Sequence, residues 1–241
     1  MSASPAKTGL ATRVVLFDLD GTLSDSAPGI LVALRQAFAA NGLPPLDVEV
    51  ERALLGPPFY QSLPPLIGTV ALKDVIGSYR RRYAGEGARS AMYDAAPYPG
   101  VAGVLAQLHA AGVALAVATS KPEQYAIPIV EHLGLAAFFT TVGGDELDGS
   151  LPTKALVIDK VLGRLGRPDP ADVIMVGDRS HDIEGAREHG IGAVGVEWGY
   201  ASPGELAAAH PVAICATPFD LGRVLGLTEG DVTGGAGAQA S

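Results

Sequence analysis

The chain reads as an α/β protein: a doubly wound parallel sheet of Rossmann-like type, interrupted by an all-helical insert. Three observations predict this. From about Pro99 to Leu227, short apolar runs alternate with helical patterns, as βαβ units do. Those runs are continuously apolar rather than alternating, which marks strands covered on both faces. The stretch between the first run and the rest, Ala27 to Ala96, has helical spacing and no strand pattern.

The elements follow in order. Val14–Phe17 is the first strand. Ile30, Leu31, Leu34 and Phe38 fall at helical spacing after the capping residues Asp25 and Ser26, with Pro28 in the first turn. Val48–Leu55, Tyr60–Ile67 and Val70–Tyr83 also read as helices, separated by Pro44-Pro45, Gly56-Pro57-Pro58 and Pro64-Pro65. Beyond Pro99 come the helix Val101–Ala111, the strand Val113–Ala118, the helix Pro122–Leu133 and the strand Phe138–Val142. The helix Lys154–Leu165, the strand Val173–Val176, the helix Ile183–His189 and the strand Ala193–Val196 follow. A short helix at Pro203–Ala209, a last strand at Val212–Cys215 and a last helix at Phe219–Leu225 complete the series. The expected division is a core of residues 13–26 and 97–227, a helical lid of residues 27–96, and disordered tails at 1–12 and 228–241. The lid would sit over the C-terminal strand ends, where ligands bind in such sheets.

Composition narrows the function classes. The 241 residues, 48% hydrophobic, can bury a sizeable core. A net charge of −9 makes nucleic acid a poor general partner, though a local cationic site can still take a small anionic substrate. Arg80-Arg81-Arg82 reads as a solvated helix face. A lone cysteine, Cys215 in an apolar run, precludes an internal disulfide and suits a reducing, cytoplasmic compartment. The N-terminus has no apolar h-region, and no run of about 18 apolar residues is present, so neither a secretory signal nor a membrane span is expected.

The chemistry begins at Asp18-Leu19-Asp20-Gly21-Thr22, directly after the first strand. Residues two apart in an extended segment share a side, so Asp18 and Asp20 can face one point. Like charges so close call for a cation, and paired carboxylates suit Mg²⁺. Three further segments stand at strand ends. Thr119-Ser120-Lys121 offers hydroxyls to a phosphate at a helix N-terminus, or else an N-cap. Lys154 sits in a helix's first turn, where the macrodipole disfavours it, so it pairs with phosphate and an aspartate or is a surface lysine. Asp178 and Asp182 follow an apolar strand and Gly177. Asp178 is a direct metal ligand in this reading. Asp182 binds through water, orients Lys154, or caps the helix. Histidine and cysteine ligands for zinc are not suitably spaced.

These four segments, in this order, resemble the four motifs of the haloacid dehalogenase (HAD) superfamily. The resemblance spans about Arg13 to Leu227. The insert after the first motif resembles the C1 cap of the phosphoglycolate phosphatase-like branch. The resemblance implies Asp18 as nucleophile, Asp20 as general acid/base, Thr119 on the phosphoryl group and Lys154 as charge balance. It implies Gly21, Thr22, Thr119, Ser120 and Lys154 around the phosphate, and Asp18, Asp20, Asp178 and Asp182 around Mg²⁺. Dehalogenase members lack the second aspartate of the first motif; Asp20 is present, so phosphoryl transfer is implied. The lysine motif often reads Lys-Pro, whereas here Pro152 precedes Lys154, and Lys121 with Pro122 competes for that role. Gly56-Pro57-Pro58 and Trp198-Gly199-Tyr200 resemble a sub-branch of phosphoglycolate phosphatases, 5′-nucleotidases and a HAD-core tyrosine kinase. The expected substrate is a small phosphate monoester, and the expected state a monomer or homodimer.

Overall fold

The computed structural model describes residues 12–85 and 90–227; the expected tails at 1–12 and 228–241 lie outside these residues, apart from Thr12. Six strands form one sheet: β1 (Val14–Phe17), β4 (Ala114–Pro122), β5 (Thr141–Asp145), β6 (Val173–Gly177), β7 (Gly192–Val196) and β8 (Ala213–Cys215). Their order is β5-β4-β1-β6-β7-β8, and every pairing is parallel. The strand order reverses beside β1, so the crevice opens at its C-terminal end, next to Asp18.

Alternation along each strand feeds two cores. Val15, Phe17, Leu115, Val117, Val176 and Val194 face one side, with α5 (Val101–Ala110), α6 (Glu123–His132) and α10 (Pro218–Val224). Val14, Leu16, Ala116, Ala118, Met175 and Ala193 face the other, against α7 (Lys154–Arg164), α8 (Ser180–Glu188) and α9 (Glu205–Ala209). Both faces are therefore dry, which is why the strands carry no polar alternation.

Among the described residues between β1 and α5 lie a short ribbon, four α-helices and a 3₁₀ turn at Ala91–Tyr93. The ribbon pairs β2 (Ser24–Asp25) antiparallel to β3 (Ala96–Pro97). Two residues on each side carry too little pattern to be read from sequence. The helices are α1 (Ala27–Ala40), α2 (Val48–Ala53), α3 (Phe59–Ser62) and α4 (Pro64–Tyr83). Leu34, Phe38, Val75, Ile76 and Tyr79 pack among them and onto the core below. The expected helix Tyr60–Ile67 is divided: α3 ends before Leu63, and α4 runs on through a kink at Gly68.

The fifth strand also departs from expectation. The segment expected at Phe138–Val142 is a tight turn over Ala136–Phe138 followed by a strand at Thr141–Asp145. Phe139 meets Phe17 edge-on at 6.3 Å, so the two phenylalanines serve the core from the turn. Gly143 and Gly144, beyond the expected segment, continue the strand. A Cβ at Gly144 would lie 2.3 Å from the Lys121 carbonyl oxygen, so β4 approaches where only glycine fits.

Candidate active site

The loop after β1 is wound tightly. Asp18 continues the sheet by donating its N–H to Val176 O at 2.9 Å. Gly21 N–H donates to Ser24 O at 2.9 Å, and Leu23 and Ser24 N–H both reach Leu19 O. Gly21 has φ +87°, and a Cβ there would lie 2.2 Å from Asp178 Oδ2. Glycine is thus required twice over, by backbone angle and by the approach of a carboxylate.

One carboxylate oxygen from each of Asp18, Asp178 and Asp182 lies within 4.8 Å of the others, and all three residues are buried. Lys154, in the first turn of α7, places Nζ 2.8 Å from Asp18 Oδ1, 2.7 Å from Asp182 Oδ1 and 3.0 Å from Ala118 O. Neither of those carboxylate oxygens has an aligned hydrogen-bond donor, so Lys154 meets them as an ion pair. Burial opposes charge on Lys154, but Asp18 and Asp182 outweigh it and hold the ammonium above its usual range. Burial, with the charges of Asp182 and Asp18, pushes Asp178 well above the ordinary carboxylate range. Burial likewise raises Asp182 to about 6, against the pull of Lys154. Three acidic groups and one ammonium leave an excess of negative charge. Buried carboxylate oxygens and the residual charge together fit a hard divalent cation.

Asp178 is held by donors from two loops. Thr22 Oγ1 donates to its Oδ1 at 2.9 Å, and Tyr200 N–H to its Oδ2 at 2.7 Å. Asp182 sits in the third position of α8, not at its N-cap, and accepts Arg179 N–H at 3.1 Å. Its other oxygen faces Lys154, matching the reading in which it orients that lysine.

Asp20 is not brought into this carboxylate group. Its Oδ2 pairs with Lys121 Nζ at 2.8 Å and its Oδ1 accepts Ser26 Oγ–H at 2.5 Å. Lys121 Nζ also donates to Tyr83 OH at 2.6 Å. The two lysines that competed for one role therefore divide the site, Lys154 with Asp18 and Lys121 with Asp20. Thr119 is buried in the last half of β4, its Oγ1 accepting Lys121 N–H at 3.2 Å, and Ser120 lines the adjacent cavity. His181 is half-buried beside Ser180 and reaches none of the carboxylates through a hydrogen bond.

Sequence reasoning underused the segment after β7. Trp198 Nε1–H donates to Thr22 O at 3.1 Å, and Tyr200 OH accepts Ser26 and Ala27 N–H at 2.8 and 3.0 Å. Tyr200 OH in turn donates to Asp25 Oδ1 at 2.8 Å. Ser26 is the N-cap residue of α1 but its hydroxyl makes no capping bond; Tyr200 OH and Asp25 Oδ1 accept the Ala27 N–H instead, and the Ser26 hydroxyl turns to Asp20. The available signal was position: an aromatic pair at a strand's C-terminal end, beside three other such ends.

A cleft lies between insert and sheet, lined by Asp20, Ser120 and Lys121 of the core and by Phe59, Tyr79 and Tyr83 of the insert. Residues of the insert and of the sheet edge thus line this cleft together.

Comparison with known proteins agrees with this architecture. The tyrosine-protein kinase PtkA of Mycobacterium tuberculosis is 40% identical over 193 residues, which are 80% of this chain and 64% of that protein. The chain therefore spans about two thirds of that relative's length. A 5′-nucleotidase of Pseudomonas aeruginosa is 33% identical, covering 88% of this chain and 94% of its own. A phosphoglycolate phosphatase of Salmonella typhimurium is also 33% identical, covering 91% and 94%. The crystal structure of a predicted phosphatase from Clostridium acetobutylicum superposes with a TM-score of 0.83 at 32% identity, covering 89% of this chain and 98% of that one. The sheet order, the carboxylates at its C-terminal edge and a family match over residues 15–196 lead to one placement: this chain belongs to the haloacid dehalogenase-like hydrolases.

Proposed function

We propose that the protein is a Mg²⁺-dependent phosphatase that hydrolyses a small phosphate monoester through an aspartyl-phosphate on Asp18. The observation that carries this reading is the grouping of Asp18, Asp178 and Asp182 around Lys154, beside a second carboxylate, Asp20, held apart from them. Asp18, Asp178 and Asp182 would hold the cation, which when bound supplies charge neutralisation for the phosphate. Asp18 attacks phosphorus, the phosphorus–alkoxide bond breaks, and Asp20 gives its proton to the departing alkoxide. Water then yields a proton to Asp20 and attacks the same phosphorus, which releases inorganic phosphate and restores the Asp18 carboxylate. Lys154, Thr119, Ser120 and the backbone of Gly21 and Thr22 hold the phosphoryl oxygens in this scheme.

Residues 27–96 act as the cap and 13–26 with 97–227 as the core, and closure of the cap excludes water from the first step. The net charge of −9 supports a small-molecule partner rather than nucleic acid. A single buried cysteine supports a cytoplasmic setting, and no helix among the described residues is long and apolar enough to cross a membrane. We assign a monomer or homodimer.

The test is a screen of phosphoglycolate, nucleoside monophosphates and sugar phosphates with and without Mg²⁺, run beside Asp18→Asn. Turnover that needs both Mg²⁺ and Asp18 supports the reading. Activity indifferent to Asp18 refutes it. A second reading, phosphoryl transfer from ATP to a tyrosine, draws on the 40% identity to a protein named a tyrosine kinase. Label from the γ-phosphate of ATP retained on protein tyrosine, rather than released as phosphate, would favour it.

A further inference from the structure

We propose that the cleft beside Asp20 selects phosphate monoesters whose alcohol carries an uncharged planar ring, and disfavours small carboxylated alcohols such as glycolate. The proposal rests on the phosphatase reading and concerns the leaving group alone.

The first argument is the wall. Phe59 meets Tyr79 edge-on at 4.7 Å, Tyr79 stacks on Tyr83 at 5.1 Å and 14°, and Tyr83 meets Tyr125 edge-on at 6.1 Å. Four rings therefore form one contiguous stack from the insert across to α6 of the core, with Tyr79 and Tyr83 buried within it and Phe59 and Tyr125 half-buried at the cleft. Pro57, Pro58 and Pro122 extend it.

The second argument is charge. Two cations line the cleft, and both already have oxygen partners. Lys121 is 2.8 Å from Asp20 Oδ2 and 2.6 Å from Tyr83 OH. Arg80 donates to Leu147 O and, at 3.1 Å, to Tyr60 OH, with its guanidinium 5.7 Å from the Tyr60 ring centre. Two acidic residues, Asp145 and Glu146, line the same cleft. A carboxylate on the leaving group would lose its hydration there, face those acids, and compete for cations already engaged. An uncharged ring incurs none of these costs and gains contact with the aromatic wall.

The third argument is placement. Asp20 and Ser120 line the same cleft as Phe59 and Tyr125, so an alcohol leaving beside Asp20 departs into the space those rings share.

The experiment compares benzyl phosphate, adenosine 5′-monophosphate and phosphoglycolate with Mg²⁺ present. All three are alkyl esters, so the ease of departure of a phenol does not enter. The expected kcat/KM for benzyl phosphate exceeds that for phosphoglycolate by about 100-fold. Tyr125→Leu and Phe59→Leu each lower that ratio by about tenfold. The ratio does not depend on how much of each variant folds. Ile127→Ala, on an exposed face of the same α6, leaves the ratio unchanged. Adenosine monophosphate above benzyl phosphate assigns the ring to a nucleoside, and the reverse assigns it to a simpler aromatic alcohol; either supports the proposal. Phosphoglycolate within about tenfold of both ring esters overturns it, as does a ratio unmoved in both leucine variants. If no ester is turned over, the phosphatase reading fails by itself. Calorimetric titration of adenosine, benzyl alcohol and glycolate then decides this proposal. Tighter binding of the ring alcohols supports it, and glycolate binding as tightly overturns it.

Discussion

At the acidic edge, Asp18 and Asp178 each follow a core strand directly, Thr119 lies in the last half of another, and Lys154 opens a helix packed beneath the sheet. In the aromatic cleft, Phe59, Tyr79 and Tyr83 come from the insert, and only Tyr125 among the four rings comes from the core. The edge is polar, densely bonded and fixed by sheet register: Phe17 pairs with both Val117 and Val176, so the residues that follow must converge. The cleft is apolar and made by helix packing, which admits many side-chain choices at the same backbone. The contrast assigns the reaction to the edge and the choice of substrate to the cleft.

The largest effect that tests this division is Asp18→Asn. It should lower turnover by about 10⁴-fold or more, because no neighbouring group can replace a nucleophile. The same change removes one negative charge from a buried, crowded group, so the melting temperature should hold or rise. Loss of activity together with unfolding would show that the edge is structural rather than chemical.

Lys154→Met should act on stability first. It leaves Asp18 and Asp182 buried with no counter-ion, a change of about 3–5 kcal/mol for broken buried pairs. Added Mg²⁺ should recover part of the loss, read as a melting temperature with and without the ion. Asp178 and Asp182 both have folded pKa values raised above the ordinary carboxylate value of 3.8, Asp182 to about 6. Their contribution to stability is full below 3.8; that of Asp182 is lost as pH rises through about 6, and that of Asp178 as pH rises through its own raised value. Without a cation the protein should therefore lose stability over that window, and Mg²⁺ should stabilise it most above it. A Mg²⁺ effect independent of pH would contradict a cation bound by these carboxylates.

How much of this was legible beforehand follows the same division. The acidic edge could be read because strand ends are marked by apolar runs, and Asp-x-Asp and Gly-Asp-x-x-x-Asp stand directly after them. Register does the rest, so Asp18, Asp178, Asp182 and Lys154 meet without any further information. The partner of Asp20 could not be read. Lys121 appeared as a rival to Lys154, since nothing in Thr-Ser-Lys-Pro says that β4 runs on to Pro122 and carries the lysine back toward Asp20. Tyr83 and Tyr125 carried no signal either. They are helix residues among many apolar ones, and only the packing of α4 over the sheet makes them one wall.

Tyr83→Phe probes the seam between the two regions. The hydroxyl accepts from Lys121, which in turn pairs with Asp20. Its removal leaves the ring in the cleft and deletes one buried bond, worth about 0.5–1.5 kcal/mol. We expect kcat to fall by up to about tenfold with KM little changed, because the lost contact holds Lys121 rather than the substrate's ring. An effect confined to KM would place Tyr83 with the cleft alone.

The smallest effect separates insert from core by acid. Within the insert, Arg35 grips Glu51 through two bonds of 2.7 and 2.6 Å, from an exposed position on α1 to a buried one on α2. The Arg35 hydrogen bond holds Glu51 below its ordinary 4.5, against the opposing effect of burial. The stability this pair contributes is present above 4.5 and is lost as pH falls through the lower, folded value. Arg179 and Glu205 form a similar pair in the core, at 2.8 Å, with Glu205 also lowered although burial works the other way. Glu51→Gln should therefore cost at most about 1 kcal/mol at neutral pH and flatten the acid limb for the insert alone. Amide exchange resolved by segment reads it: α1 and α2 should lose protection in the variant while α8 keeps its own. Equal loss in α8 would mean that insert and core unfold as one unit, and that the cap has no independent freedom with which to close.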